Sequence, residues 1–305
     1  MKGTVRMDSG AAIGIGGFEE RIVATIDGLA LYARDYAPLA PETGLPVICL
    51  HGLTRNSRDF ETVAPRIAAL GRRVIAPDMR GRGKSANDPD PAHYVPMVYA
   101  QDVLKLMDTL AIPKAVFVGT SMGGLITMAI AAMAPGRIAA SVLNDVGPRL
   151  EPAGLARIAS FVGREQPVDS WEAAAEALRA ANGAAFPERL DDAAFWMTMA
   201  RRCFRVRDDG MLERDYDPLI ALAFADLDAD APPPDLTPYF QALAMKPMLS
   251  VRGALSDLLS EDVVAHMRQI APALETVTID GVGHAPFLDE PEAWDAVLDF
   301  LARVE

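Results

Sequence analysis

The chain has 305 residues, half of them apolar and 23% charged, which allows a large core in one elaborated α/β domain or a domain with an insertion. A formal net charge of −13 argues against a nucleic-acid backbone or an anionic membrane as partner, since both call for a basic face. Two cysteines, Cys49 and Cys203, suggest neither a disulfide framework nor a metal cluster. No apolar run reaches the ~20 residues of a membrane helix. The expectation is a cytoplasmic protein without cofactor or metal that acts on a small molecule, as a monomer or a homodimer.

In chain order, residues 1–20 are partly glycine-rich, lack a signal-peptide core and are expected to be flexible. Arg21–Ile26 and Ala30–Tyr36, joined by Asp27-Gly28, read as a hairpin. Pro46–His51 reads as a buried strand with Cys49 in the core, followed by a helix over Ser57–Leu70 and a strand over Arg73–Ala76. Met97–Leu110 has helical spacing, Ala115–Val118 is a short apolar strand, Leu125–Met133 is helical and Ile138–Leu143 is again a strand. Between Pro148 and Tyr239 no clear strand appears. Trp171–Ala181 and Asp191–Cys203 read as helices there, interrupted by Pro167, Pro187 and Pro232-Pro233-Pro234. Alternation then resumes with strand Pro247–Arg252, helix Glu261–Ile270, strand Glu275–Ile279 and helix Glu292–Arg303. This pattern predicts a mostly parallel, eight-stranded sheet flanked by helices. Its core spans 21–147 and 241–305, and a helical cap over 148–240 is inserted at the carboxyl ends of the strands, where open sheets bind ligands.

The densest signal is Gly119-Thr120-Ser121-Met122-Gly123-Gly124, set between an apolar strand and a helix without a breaker. A serine flanked by glycines on such a turn is a nucleophile elbow: the turn strains the serine backbone, and side chains on its flanks would clash. A serine hydroxyl needs a base, itself oriented by a third group. Of the four histidines, His284 lies after the last strand, on the same sheet edge as Ser121. His93 and His266 read as surface residues, and His51 ends a strand immediately before Gly52. For the orienting acid Asp257 is favoured, on the loop after Pro247–Arg252; Asp145, one strand earlier, offers the same chemistry or a turn cap. The order Ser…Asp…His suits either. Oxyanion donors are expected from the backbone N–H groups of Met122 and Leu53.

Together these segments resemble the α/β-hydrolase-fold superfamily, in the form of a serine hydrolase with a helical cap. His51-Gly52, the run Asp78-Met79-Arg80-Gly81-Arg82-Gly83-Lys84-Ser85, Gly119–Gly124, Arg252–Asp257 and Gly283-His284 stand in the order that family uses. The resemblance covers roughly 21–147 and 245–303 and implies hydrolysis of a carboxylic ester or lactone. Relatives that open epoxides or displace halide carry aspartate at the elbow, so Ser121 favours acyl chemistry. A carbon–carbon bond hydrolase and a non-catalytic receptor of the same fold are the alternatives.

Two lookalikes are set aside. Gly83-Lys84-Ser85 resembles the end of a phosphate loop, but Asp78 replaces the required glycine, and Gly14–Glu19 fails the dinucleotide fingerprint. In the cap, aromatic and methionine side chains including Phe224 serve either its own core or a pocket. The candidates for substrate contact are His51, Trp196 and Phe287. Arg201, Arg202, Arg205 and Arg207 read as a solvated helix face that could also meet a carboxylate.

Overall fold

The computed structural model of the chain describes residues 17–164, 166–224 and 234–305, with backbone alone for Ala223 and Phe224. Most of the segment expected to be flexible, and the Phe224 side chain, therefore lie outside the described residues. Among the described residues there are ten strands: β1 (Glu19–Ala24), β2 (Ala30–Tyr36), β3 (Val47–Leu50), β4 (Val74–Pro77), β5 (Ala115–Thr120), β6 (Ile138–Asn144), β7 (Phe204–Val206), β8 (Leu212–Arg214), β9 (Met248–Gly253) and β10 (Glu275–Ile279). Eight of them form one sheet in the order β1-β2-β4-β3-β5-β6-β9-β10. The pairs β1/β2 and β2/β4 are antiparallel, and every later pair is parallel. The hairpin turns at Gly28, where φ is 88°, a conformation glycine adopts without steric cost.

Apolar runs without alternation become strands buried on both faces. Ile48, Leu50, Ala115 and Phe117 point into one hydrophobic layer, while Val47, Cys49, Val116 and Val118 point into the other. The first layer is covered by α2 (Pro96–Thr109), α3 (Met122–Met133), α7 (Thr237–Leu243) and α8 (Glu261–Ile270). The second is covered by α1 (Val63–Ala69) and α9 (Pro291–Ala302). Burial also pushes the Cys49 thiol pKa up, so the residue behaves as a small hydrophobe.

Three expectations shift. The helix expected over 57–70 is a 3-10 turn, Ser57–Phe60, whose first N–H is held by Asp78 at 2.7 Å, followed by the shorter α1. Strand β1 begins at Glu19, inside the segment expected to be flexible. The segment between β6 and β9 contains α4 (Pro152–Phe161), α5 (Trp171–Asn182) and α6 (Ala193–Cys203), but also the β7/β8 hairpin. Strands of three residues leave too short a pattern to detect in sequence. This segment packs its own core around Leu178, Phe186, Trp196, Met199 and Phe204, whereas Phe240 and Leu243 of α7 join the layer beneath α3.

Candidate active site

Ser121 joins β5 to α3 with φ 51° and ψ −114°, a backbone that L side chains rarely adopt. The flanking glycines make it attainable. A Cβ on Gly119 would lie 2.5 Å from the carbonyl of Gly123, and one on Gly123 would overlap the carbonyl of Leu50. On Gly124 it would overlap Val146. The turn is anchored by the Ser121 N–H, which donates to Asn144 O at 2.9 Å.

Against this serine the structure brings His284, from the loop between β10 and α9. Its Nε2 lies 2.9 Å from Ser121 Oγ and its Nδ1 lies 2.7 Å from Asp145 Oδ2. Asp145 follows β6 directly, has φ 57° and is fully buried. It accepts from Gly253 N–H at 2.9 Å and Ser256 Oγ–H at 2.6 Å, so its carboxylate is held from two further points. Proton positions follow from these partners: Nδ1 donates to Asp145, leaving Nε2 to accept from the serine.

The expectation that Asp257 faces His284 is not met. Asp257 forms a two-point ion pair with Arg157 of α4, Nε to Oδ2 at 2.5 Å and Nη2 to Oδ1 at 2.9 Å. The Arg157 guanidinium holds this carboxyl below its usual range. Ser256, beside it, reaches Asp145 instead. Neither arginine capture nor that serine contact has a local sequence signal.

Leu53 lines the cavity in front of Ser121, and its carbonyl accepts from Arg82 Nε at 2.9 Å. Met122 is the first residue of α3, so no preceding helical turn can take its N–H. Gly52 is less constrained than its sequence position suggests: an added Cβ would meet nothing nearer than 3.6 Å, but it would stand 3.8 Å from Ser121 Cβ. Arg82, read only as part of a glycine-rich loop, orients Leu53 while donating to Tyr99 Oη at 2.7 Å. Asn144 links the elbow to the histidine loop, giving Nδ2–H to Pro286 O at 2.7 Å and to Thr120 Oγ1 at 3.0 Å.

Two of the three expected substrate contacts are corrected. His51 is wholly buried, with Nδ1 2.7 Å from Gly52 O and Nε2 accepting from Met79 N–H at 3.0 Å. Burial pushes its pKa down to about 4, so it is a neutral brace between loops. Trp196 is buried in the core of the inserted segment and donates Nε1–H to Arg189 O at 2.8 Å. It is not among the residues that line the cavity in front of Ser121. Phe287 does line the cavity of about 330 Å³ that also contains Ser121 and His284. Among the arginines of 201–207, Arg201 lies 4.0 Å over the Trp171 ring, Arg205 pairs with Glu213 and Arg207 with Asp209, while Arg202, expected on a solvated face, is buried with Nη2 3.5 Å from Thr62 Oγ1.

The phosphate-loop lookalike has a different purpose. Asp78 accepts from Ser57 and Lys84 N–H groups, and a Cβ on Gly83 would overlap its carboxylate. For a metal, Asp27, Asp88 and His93 bring ligand atoms within 4.8 Å of one another. Arg80 already occupies that charge environment, donating to Asp27 at 2.8 Å and to Asp88 at 2.5 Å.

Comparisons with known proteins agree with this architecture. The 3-hydroxybutyrate-oligomer hydrolase of Cupriavidus necator is 35% identical over 80% of this chain and 84% of its own. The 2-(acetamidomethylene)succinate hydrolase of Mesorhizobium japonicum is 29% identical over 79% of this chain and 82% of its own. A solved α/β hydrolase from Novosphingobium aromaticivorans superposes with a TM-score of 0.88 at 43% identity, covering 95% of this chain and 100% of that one. A profile described as the alpha/beta hydrolase fold matches residues 46–291. With sheet order, elbow and sequence likeness in agreement over most of its length, this chain belongs to the α/β-hydrolase-fold family.

Proposed function

We propose that the protein is a serine hydrolase of small carboxylic esters or lactones, working through an acyl-enzyme. The carrying observation is the continuous hydrogen-bonded path from Ser121 Oγ through His284 to Asp145. Ser121 attacks the carbonyl while His284 Nε2 takes its proton. Asp145 keeps the imidazole in the required tautomer and stabilises the imidazolium. Leu53 and Met122 N–H groups receive the developing oxyanion, at the positive end of the α3 dipole. His284 then protonates the leaving alcohol, and a water activated by the same imidazole releases the acid. Residues 148–240 act as the cap that walls the cavity, with α7 returning to the core.

The name of the Cupriavidus relative makes an oligomeric hydroxy-acid ester the first substrate to try. Turnover should be screened with p-nitrophenyl esters of graded chain length, a lactone panel and 3-hydroxybutyrate oligomers. Ser121→Ala should abolish both turnover and fluorophosphonate labelling; retention of either at the wild-type level would overturn the assignment. Carbon–carbon bond hydrolysis by the same serine and histidine is the second reading. Preference for a vinylogous diketo acid over an aryl ester would favour it. Stabilisation by such compounds without turnover would instead mark a receptor.

A further inference from the structure

The cavity in front of Ser121 has a charge pattern that the triad chemistry does not use. Its described wall contains three arginines, Arg55, Arg157 and Arg214, and one carboxylate, Asp59. In a chain of formal net charge −13 this wall carries more arginines than carboxylates. Arg55 comes from the loop after β3, Arg157 from α4 and Arg214 from β8, so three separate elements bring charge to one cavity wall.

Two of these guanidinium groups are clamped in the same way. Arg55 donates Nε–H to Asp59 Oδ2 at 2.9 Å and Nη2–H to Oδ1 at 2.5 Å. Arg157 makes the corresponding pair with Asp257. A guanidinium has five N–H groups, and a side-on clamp uses two while holding the plane in place. Nη1 of each arginine donates to no side chain or backbone group among the described residues, which leaves an edge of the fork for a ligand. Asp257 itself is not part of the cavity wall, so the positive end of its ion pair is the end nearer the cavity. Arg55 also lies 5.8 Å from the centre of the Phe287 ring, which adds a flat apolar boundary.

A neutral ester needs none of this. Two pre-oriented forks in a concave, partly apolar wall match a planar carboxylate, which arginine binds through paired N–H groups. Resting on the hydrolase reading, we propose that Arg157 and Arg55 form a carboxylate subsite, and that the substrate is an ester with a free carboxylate a few bonds from the scissile carbonyl. An oligomer of a short hydroxy acid has this chemistry. Asp257 is then a positioning residue, acting through Arg157 rather than on the substrate.

The test separates binding from turnover. In a Ser121→Ala background, the linear 3-hydroxybutyrate dimer and its methyl ester are titrated calorimetrically; they differ in charge but hardly in shape. The acid should bind more tightly. Arg157→Gln should lower its affinity on the order of 10- to 100-fold, the range for losing hydrogen bonds to a charged group, and the methyl ester should lose much less. Asp257→Asn should cause a smaller loss of the same selectivity, and Asp257→Glu should restore part of it. In the active enzyme the effect should fall on KM for the acid more than on kcat. Equal binding of the two compounds, binding of neither, or a preference that survives both Arg157→Gln and Arg55→Gln would overturn the subsite. Fluorophosphonate labelling of Ser121 judges the hydrolase reading independently.

Discussion

Strands β6 and β9 lie side by side in the sheet, and each leads into an acidic residue near the same edge. After β6 the acid is Asp145, the next residue in the chain, its left-handed backbone turning the carboxylate into the protein. After β9 it is Asp257, four residues past Gly253, on a loop long enough to be captured by the inserted segment. The first is completely buried and receives donors from β9 and its loop; the second is one-third exposed and paired with Arg157. Two histidines repeat the contrast. His284 faces a cavity, while His51, at the end of β3, is sealed between backbone groups. Proximity to the sheet edge that carries Ser121 is shared by all four residues. What differs is whether the fold leaves a side chain accessible or consumes its hydrogen-bonding capacity.

The largest effect should separate the two acids. Asp145→Asn should lower kcat about 10⁴-fold through the wrong imidazole tautomer, measured with an aryl ester that both variants can bind. Asp257→Asn should lower it by no more than a few-fold. The reverse order would assign the acid to Asp257.

A smaller effect separates the histidines. His51 titrates near 4 when folded and near 6.5 when unfolded, so the unfolded chain binds the proton first as pH falls. Stability is therefore complete above about pH 6.5 and declines towards pH 4, by about 3 kcal/mol from this group alone. Urea unfolding midpoints between pH 7.5 and 4.5 should fall less steeply in His51→Gln than in the wild type.

Next comes the support between β9 and the histidine loop. A Cβ on Gly253 would lie 2.5 Å from Gly283 O and 2.6 Å from Val282 O. Gly253→Ala should cost about 1–3 kcal/mol in stability by overpacking and reduce kcat by displacing His284. Normal activity together with normal stability in this variant would show that the loop tolerates displacement. The smallest expected change is in Ser256→Ala, which removes one donor to Asp145 and should reduce kcat roughly tenfold with little change in KM for a neutral ester.

Much of the fold was legible because it depends on short-range patterns. Apolar strands and helical spacing predicted the sheet, and a strand–glycine–serine–glycine–helix sequence predicted the strained turn at Ser121. His284 stood out because few histidines exist and it follows the last strand. The β7/β8 hairpin was hidden by its length, and the structural use of Trp196 by the fact that an aromatic residue suits a core as well as a pocket.

What the sequence by itself determined was therefore the sheet, the elbow and the edge on which the chemistry would gather, since period, glycine placement and chain order govern those locally. Which carboxylate turns toward His284 was decided only by tertiary structure. Arg157, a hundred residues from Asp257, draws that acid away, while Gly253 and Ser256 hold Asp145 in place. Charge pairing and hydrogen-bond satisfaction act through space, so their outcome depends on which groups the fold brings within about 3 Å.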